Sequence, residues 1–213
     1  MIISDEVYAL DSTKGNYVYL ILAEEITLID TGLPKNGKGI LNELKSMDIK
    51  PHDIKNILIT HDDMDHVGSL ALLEKDSGAK IWASKEDIPH IIGEINRHAI
   101  KRILNYIVKL EKPENIHPYP EDGIVGDIKI INTPGHTVGH VCMLYKDIMF
   151  VGDLFRTKNG EIITGPSLAN WNNSILKESI VKIDKYDFKW ICPAHGEPIK
   201  RDNHLKDFIK TIK

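Results

Sequence analysis

Short apolar runs alternate with amphipathic stretches along the whole chain, which predicts an α/β protein. "YVYLIL" and "EITLID" read as adjacent strands joined by the turn "AEE". Residues 36–48 carry apolar positions at helical spacing, Ile40, Leu41, Leu44 and Met47. "NILIT" is the next strand, followed by a helix through "VGSLALLEKDSG" and a strand at "AKIWAS". From about 85 to 111 the pattern is helical and amphipathic, with Pro113 marking its end. The second half resumes with three strand-like runs, "GIVGDIKIINTPG", "HVCMLYK" and "DIMFVGD". A helix around 172–185, a strand "FKWICP" and a short C-terminal helix complete it. Strands open each half and helices close it, so the expected architecture has four layers: helix, sheet, sheet, helix.

Composition narrows the class without choosing a function. The 213 residues suffice for a single domain spanning 1–213, either one large core or two small packed halves. No linker, low-complexity tract or short repeat divides them. A net charge of -4 with dispersed lysines gives no electrostatic case for nucleic acid. No apolar run approaches the roughly 20 residues of a membrane span. The N-terminus, "MIISDEVYAL", is acidic where a secretory signal would be basic and then apolar, so a cytoplasmic location is expected. Cys142 and Cys192 stand alone in apolar runs, as buried free thiols do.

The chemistry concentrates at strand ends. "NILIT" runs into His61, "DIKIINTPG" into His136, "DIMFVG" into Asp153 and "KWICPA" into His195. Rigid sheets present ligands and catalytic groups at such positions. The segment from His61 to His66 holds two histidines and three aspartates in six positions. Carboxylates crowded this way repel unless a positive charge compensates, and divalent cations favour the deprotonated, ligating forms. His61 and Asp63 are two apart and project to one side of an extended loop. Asp65 and His66 follow as the chain turns into a helix at Val67, so one loop can address two metal ions.

The full length of the chain resembles the metallo-β-lactamase superfamily of metal-dependent hydrolases. The resemblance rests on "LIDTG" at 28–32, "THDDMDH" at 60–66, "TPGHTVGH" at 133–140, "VGD" at 151–153 and "PAHGEP" at 193–198. Each motif alone is weak, but their order and spacing together are highly specific. The resemblance implies the four-layer αβ/βα sandwich. It implies that His61, Asp63 and His136 hold a first metal and that Asp65, His66 and His195 hold a second, with Asp153 bridging both. Asp30 would act behind the ligands, fixing loop geometry.

Position 63 departs from the family pattern, His-x-His-x-Asp-His, since this chain reads His61-x-Asp63-x-Asp65-His66. Four histidines and three carboxylates make a harder donor set than a histidine-rich zinc site. Zinc is the first choice of metal, with iron and manganese as alternatives. A water shared by two cations has its pKa lowered from 15.7 towards roughly 7 and becomes the nucleophilic hydroxide. Asp65 or Asp153 would orient it and relay its proton. The expected function is hydrolysis of a small ester, lactone, thioester or phosphoester. The expected partner is a small-molecule substrate, with neither nucleic acid nor membrane, and homo-oligomerisation is left open.

Other features weigh less. His140 is read as a hydrogen-bonding structural residue rather than a ligand. "GLPKNGKG" imitates a phosphate-binding loop, but Gly39 stands where that motif needs a hydroxyl. The 85–111 helix is read as core or as a lid over the metals. Phe155, Arg156 and the "NWNN" at 170–173 are read as pocket lining or ordinary packing. A glyoxalase-type thioesterase is disfavoured, because the second ligand differs and little chain follows His195. Two other classes compete: a flavodiiron-like oxygen or nitric oxide redox protein without its flavodoxin domain, and a non-catalytic binding protein retaining the pocket.

Overall fold

The structure, a computed structural model, describes residues 1–95 and 110–212. The chain divides into two compact units, Met1–Pro118 and Tyr119–Lys213.

In the first unit, six strands lie side by side in chain order: β1 (Val7–Ala9), β2 (Tyr19–Ile21), β3 (Ile26–Ile29), β4 (Ile54–Leu58), β5 (Lys80–Ala83) and β6 (Ile116–Pro118). The first three pair antiparallel, and β3 to β6 pair parallel. Parallel neighbours need crossovers, and helices supply them. Helix α1 (Gly37–Ser46) joins β3 to β4; α2 (Met64–Val67) and α3 (Leu70–Ser77) join β4 to β5. The register aligns Leu20, Leu28, Ile57 and Ile81 in one row, against which Ile40 and Leu44 of α1 and Leu70 and Leu73 of α3 pack. Each such fully buried side chain contributes on the order of 1.5–3 kcal/mol. The alternate positions Ile21, Ile29 and Leu58 are buried as well, so these strands read as continuous apolar runs.

The glycines of the phosphate-loop look-alike have packing reasons. A Cβ at Gly37 would meet the Leu72 side chain at 2.6 Å, and one at Gly39 would meet Ser12 at 3.2 Å.

The second unit has its own six-stranded sheet, ordered β14-β13-β10-β9-β8-β7. Its strands are β7 (Ile124–Val125), β8 (Ile128–Asn132), β9 (Val141–Tyr145), β10 (Ile148–Gly152), β13 (Trp190–Pro193) and β14 (Ile199–Lys200). A separate hairpin, β11 (Arg156–Lys158) with β12 (Glu161–Ile163), follows β10. Helix α5 (Asn173–Ile183) starts at Asn172, whose side chain accepts the N–H groups of Ser174 and Ile175. Leu176, Ile180 and Ile183 of α5, with Leu205, Phe208 and Ile209 of α6 (His204–Ile212), cover Ile131, Cys142, Met149 and Ile191 of the sheet.

The elements expected from the sequence recur, with three differences. The helix expected through 67–78 breaks at Gly68 and Ser69 into α2 and α3. Gly68 lies where a Cβ would meet Pro34 at 2.5 Å, so the break seats the turn after β3. The helix expected from 85 to 111 is corrected at its start. A turn at 85–87 leads into the short α4 (Ile88–Ile91), and the chain reverses at Gly93, whose φ is +73°. Residues 96–109 lie outside the described residues, and the lid reading falls mainly on them. Five short strands, β1, β6, β11, β12 and β14, carry too few residues for an alternating pattern to announce them. No helix among the described residues is long and apolar enough to cross a membrane.

Candidate metal centre

In the first unit the site is built on the turn after β4. Residues 59–63 bend away from the strand, and Asp63, itself extended, precedes α2 without capping it by its side chain. Its carboxylate Oδ2 instead lies 3.4 Å from His61 Nε2. The rings of His61 and His66 stand 3.8 Å apart, both buried. Asp65 Oδ1 is 3.9 Å from His66 Nε2. The four candidate ligands of this unit are therefore together.

Asp30 organises them. It adopts φ +62° at the end of β3, a left-handed conformation that aspartate tolerates better than most residues. That turn aims its carboxylate at the neighbouring strand end. Oδ1 accepts the Thr60 backbone N–H at 2.8 Å, and Oδ2 accepts the Thr60 hydroxyl at 2.8 Å. His66 Nδ1–H donates to the same Oδ2 at 2.8 Å. With its proton on Asp30, the Thr60 oxygen accepts from His61 Nδ1 at 3.0 Å. A single buried carboxylate thus sets the tautomer of both histidines, directly for His66 and through Thr60 for His61. Both Nε2 atoms carry the lone pair that a cation requires. Thr31 completes the turn by donating from its N–H and its hydroxyl to the His66 carbonyl, at 2.7 and 2.8 Å.

In the second unit, His136, Asp153 and His195 converge. Asp153 follows β10, with Oδ1 3.3 Å from His195 Nε2 and Oδ2 3.7 Å from His136 Nε2. His136 Nδ1–H donates to Asn170 Oδ1 at 2.8 Å, and Asn170 Nδ2 donates to Asn173 Oδ1 at 2.7 Å. The backbone of the same strap binds the His136 loop: Trp171 N–H to the His136 carbonyl, Asn172 N–H to the Gly135 carbonyl. Gly135 permits this closeness, since a Cβ there would lie 2.4 Å from the Leu176 Cα. Gly196 does the same beside His195, with φ +99° and a Cβ position 2.0 Å from the Thr157 carbonyl oxygen.

His140 is a support, as its place in the sequence implied. Its Nδ1 donates to the Thr133 carbonyl at 3.1 Å, and its Nε2 accepts the Asp153 backbone N–H at 3.2 Å. Thr60 had no role in the sequence, and Asn170 only that of pocket lining or packing within "NWNN"; neither was tied to the histidine it holds. Cys142 and Cys192 are buried free thiols, as expected.

The donor set suits a divalent cation. Imidazole Nε2 atoms with fixed tautomers and aspartate oxygens are ligands for zinc, manganese or iron. The sequence pattern of the metallo-β-lactamase superfamily matches residues 13–195. The chain belongs to the metallo-β-lactamase superfamily.

Its relatives agree. The probable metallo-hydrolase YflN of Bacillus subtilis (strain 168) is 22% identical, covering 96% of this chain and 89% of that protein. A hydroxyacylglutathione hydrolase of Shewanella loihica is 28% identical over 89% of this chain, which spans 65% of that enzyme's length. Among solved structures, a metallo-β-lactamase superfamily protein from Sulfolobus tokodaii matches with a TM-score of 0.75 at 21% identity, covering 98% of this chain and 86% of that one. The fold class is accordingly the α/β metallo-β-lactamase fold, and the superfamily is one of metal-dependent hydrolases.

Proposed function

We propose that this chain is a hydrolase of small esters, lactones, thioesters or phosphoesters, and that its two clusters together hold two divalent cations. His61, Asp63 and His136 would hold one cation; Asp65, His66 and His195 would hold the other, with Asp153 serving both. Within each unit the ligand-capable atoms already meet: Asp63 Oδ2 lies near His61 Nε2 in the first, and Asp153 Oδ1 lies near His195 Nε2 in the second. The observation that carries the reading is the tethering of Nδ1 in His61, His66 and His136, which leaves Nε2 as the ligating atom in each.

Bound there, the cations would supply Lewis acidity and lower the pKa of a shared water towards about 7. The two catalytic aspartates then differ in role. Asp153, with 6% of its side chain exposed, would orient the attacking water from within. Asp65, at 31%, can pass the proton to bulk solvent. His140 holds the Asp153 backbone so that its carboxylate does not drift. The relatives' hydrolase names support the reaction class, and the hydroxyacylglutathione hydrolase keeps a thioester among the substrates. Zinc is the first choice, with iron and manganese admitted by the oxygen-rich donors.

The test is a panel of generic ester, lactone, thioester and phosphodiester substrates. The protein is loaded with zinc, manganese or ferrous iron and its metal content measured. Turnover is expected that chelation abolishes, metal restores and Asp153→Asn lacks. Silence across the panel from fully loaded protein contradicts the proposal. Stoichiometric iron with oxygen-dependent turnover replaces it by the redox reading that Asp63 invites.

A further inference from the structure

The geometry points to Arg156 as an anion-recognising residue beside this centre, so that the substrate carries a carboxylate or phosphate group near the bond that is cleaved. This inference rests on the proposed hydrolase reading.

Arg156 opens the hairpin three residues after Asp153, and its Nη2 lies 3.7 Å from Asp153 Oδ2. That is a loose contact. A committed arginine–carboxylate fork brings two N–H donors to about 2.7–2.9 Å. Among the described residues Asp153 is its only ion-pair partner, and 34% of its side chain remains accessible. The hairpin register does not supply another acid: Lys158 faces Glu161, but Arg156 faces Ile163. Thr157, on the opposite side of the strand, ties the hairpin to the His195 loop by donating its N–H to the His195 carbonyl at 3.1 Å. The guanidinium is therefore held near Asp153 by a stitched backbone while most of its five donors are unspent.

A structural arginine would saturate its fork on the carboxylate it neutralises. Arg156 instead keeps a planar, always charged donor array open to solvent beside the carboxylate that both metals would share. Arginine in such a position suits bidentate recognition of carboxylate or phosphate oxygens.

The experiment uses Arg156→Gln and Arg156→Lys in the metal-loaded full chain, with metal content measured in each. Inorganic phosphate and succinate are titrated calorimetrically, which separates the phosphate and carboxylate sources without requiring turnover. In parallel, p-nitrophenyl butyrate is compared with mono-p-nitrophenyl succinate and with bis(p-nitrophenyl) phosphate. Arg156→Gln should weaken one of the two anions by about 10-fold and raise KM for the matching substrate as much. The neutral ester should stay within about twofold, and Arg156→Lys should recover only part of the loss. Equal effects on neutral and anionic substrates, or unchanged anion affinity at equal metal content, overturn the inference. If none of the panel is hydrolysed while anion affinity still depends on Arg156, the anion site stands and the hydrolase reading falls.

Discussion

Asp30 Oδ2, just after β3, and His66 Nδ1, in α2, meet at 2.8 Å, both buried. Through Thr60 the same carboxylate also sets His61, so removing it should loosen two ligands at once. Asp30→Ala is expected to lower metal affinity by about 10–100-fold, the usual cost of losing a partner behind a ligand. Thr60→Val should fall between that variant and the wild type, since it unties His61 and leaves the Asp30 bond to His66 in place. Metal retained after dialysis against a graded chelator checks both. Retention equal to wild type in Asp30→Ala would remove Asp30 from the account.

Asn170 plays the corresponding part for His136, with an amide oxygen in place of a carboxylate. Asn170→Leu should weaken metal retention by about 10-fold or more, while Asn170→Asp keeps an acceptor and should retain the metal. A chelator series on the two variants reads the difference. Identical losses would mean that the strap matters only as backbone.

Gly196 has a purely steric prediction. At φ +99° and with the Thr157 carbonyl oxygen 2.0 Å from the Cβ position, Gly196→Ala must displace the backbone beside His195 or Thr157. A loss of about 1–3 kcal/mol in unfolding free energy is expected, with impaired metal binding, by denaturant titration and metal analysis. Gly160→Ala is the control: its φ of +82° is also left-handed, but nothing lies within 4 Å, so it reports backbone strain alone.

The two thiols yield a pH prediction. Complete burial pushes the Cys142 thiol up to about 12, and burial raises Cys192 as well. Neither should react with a thiol reagent in the native protein at pH 7–9, and both should react once the chain is unfolded. The unfolded chain releases these protons near the ordinary thiol value while the folded chain keeps them. Stability therefore falls as pH rises above about 9, by up to about 1.4 kcal/mol per pH unit for each thiol. Cys142→Ala should flatten that alkaline slope relative to wild type in denaturant titrations between pH 8 and 10.5.

How much of this was legible in the sequence follows from the length scale of each signal. Strands such as β4 and β10 are buried on both faces and appear as continuous apolar runs that end at His61 and Asp153, so strand and ligand could be read together. Position 30 was legible through the family resemblance, which implies an acid behind the ligands after the early strand. Thr60 and Asn170 were not, because a hydroxyl or amide tells nothing of its partner until distant segments meet; Asn170 lies 34 residues from His136. The hairpin β11–β12 was missed because three-residue strands carry too few alternations to mark a period. The helix after β4 breaks at Gly68, which lies against Pro34, a contact that no local pattern encodes.

The proposed function stands on seven side chains binding two cations. Titration of metal-free protein with zinc, followed by calorimetry and elemental analysis, tests it most directly. Two ions per chain are expected in the wild type, with a loss of at least one in His136→Ala and of both tight sites in Asp153→Asn. One ion or none in the wild type, or two retained in Asp153→Asn, would contradict it.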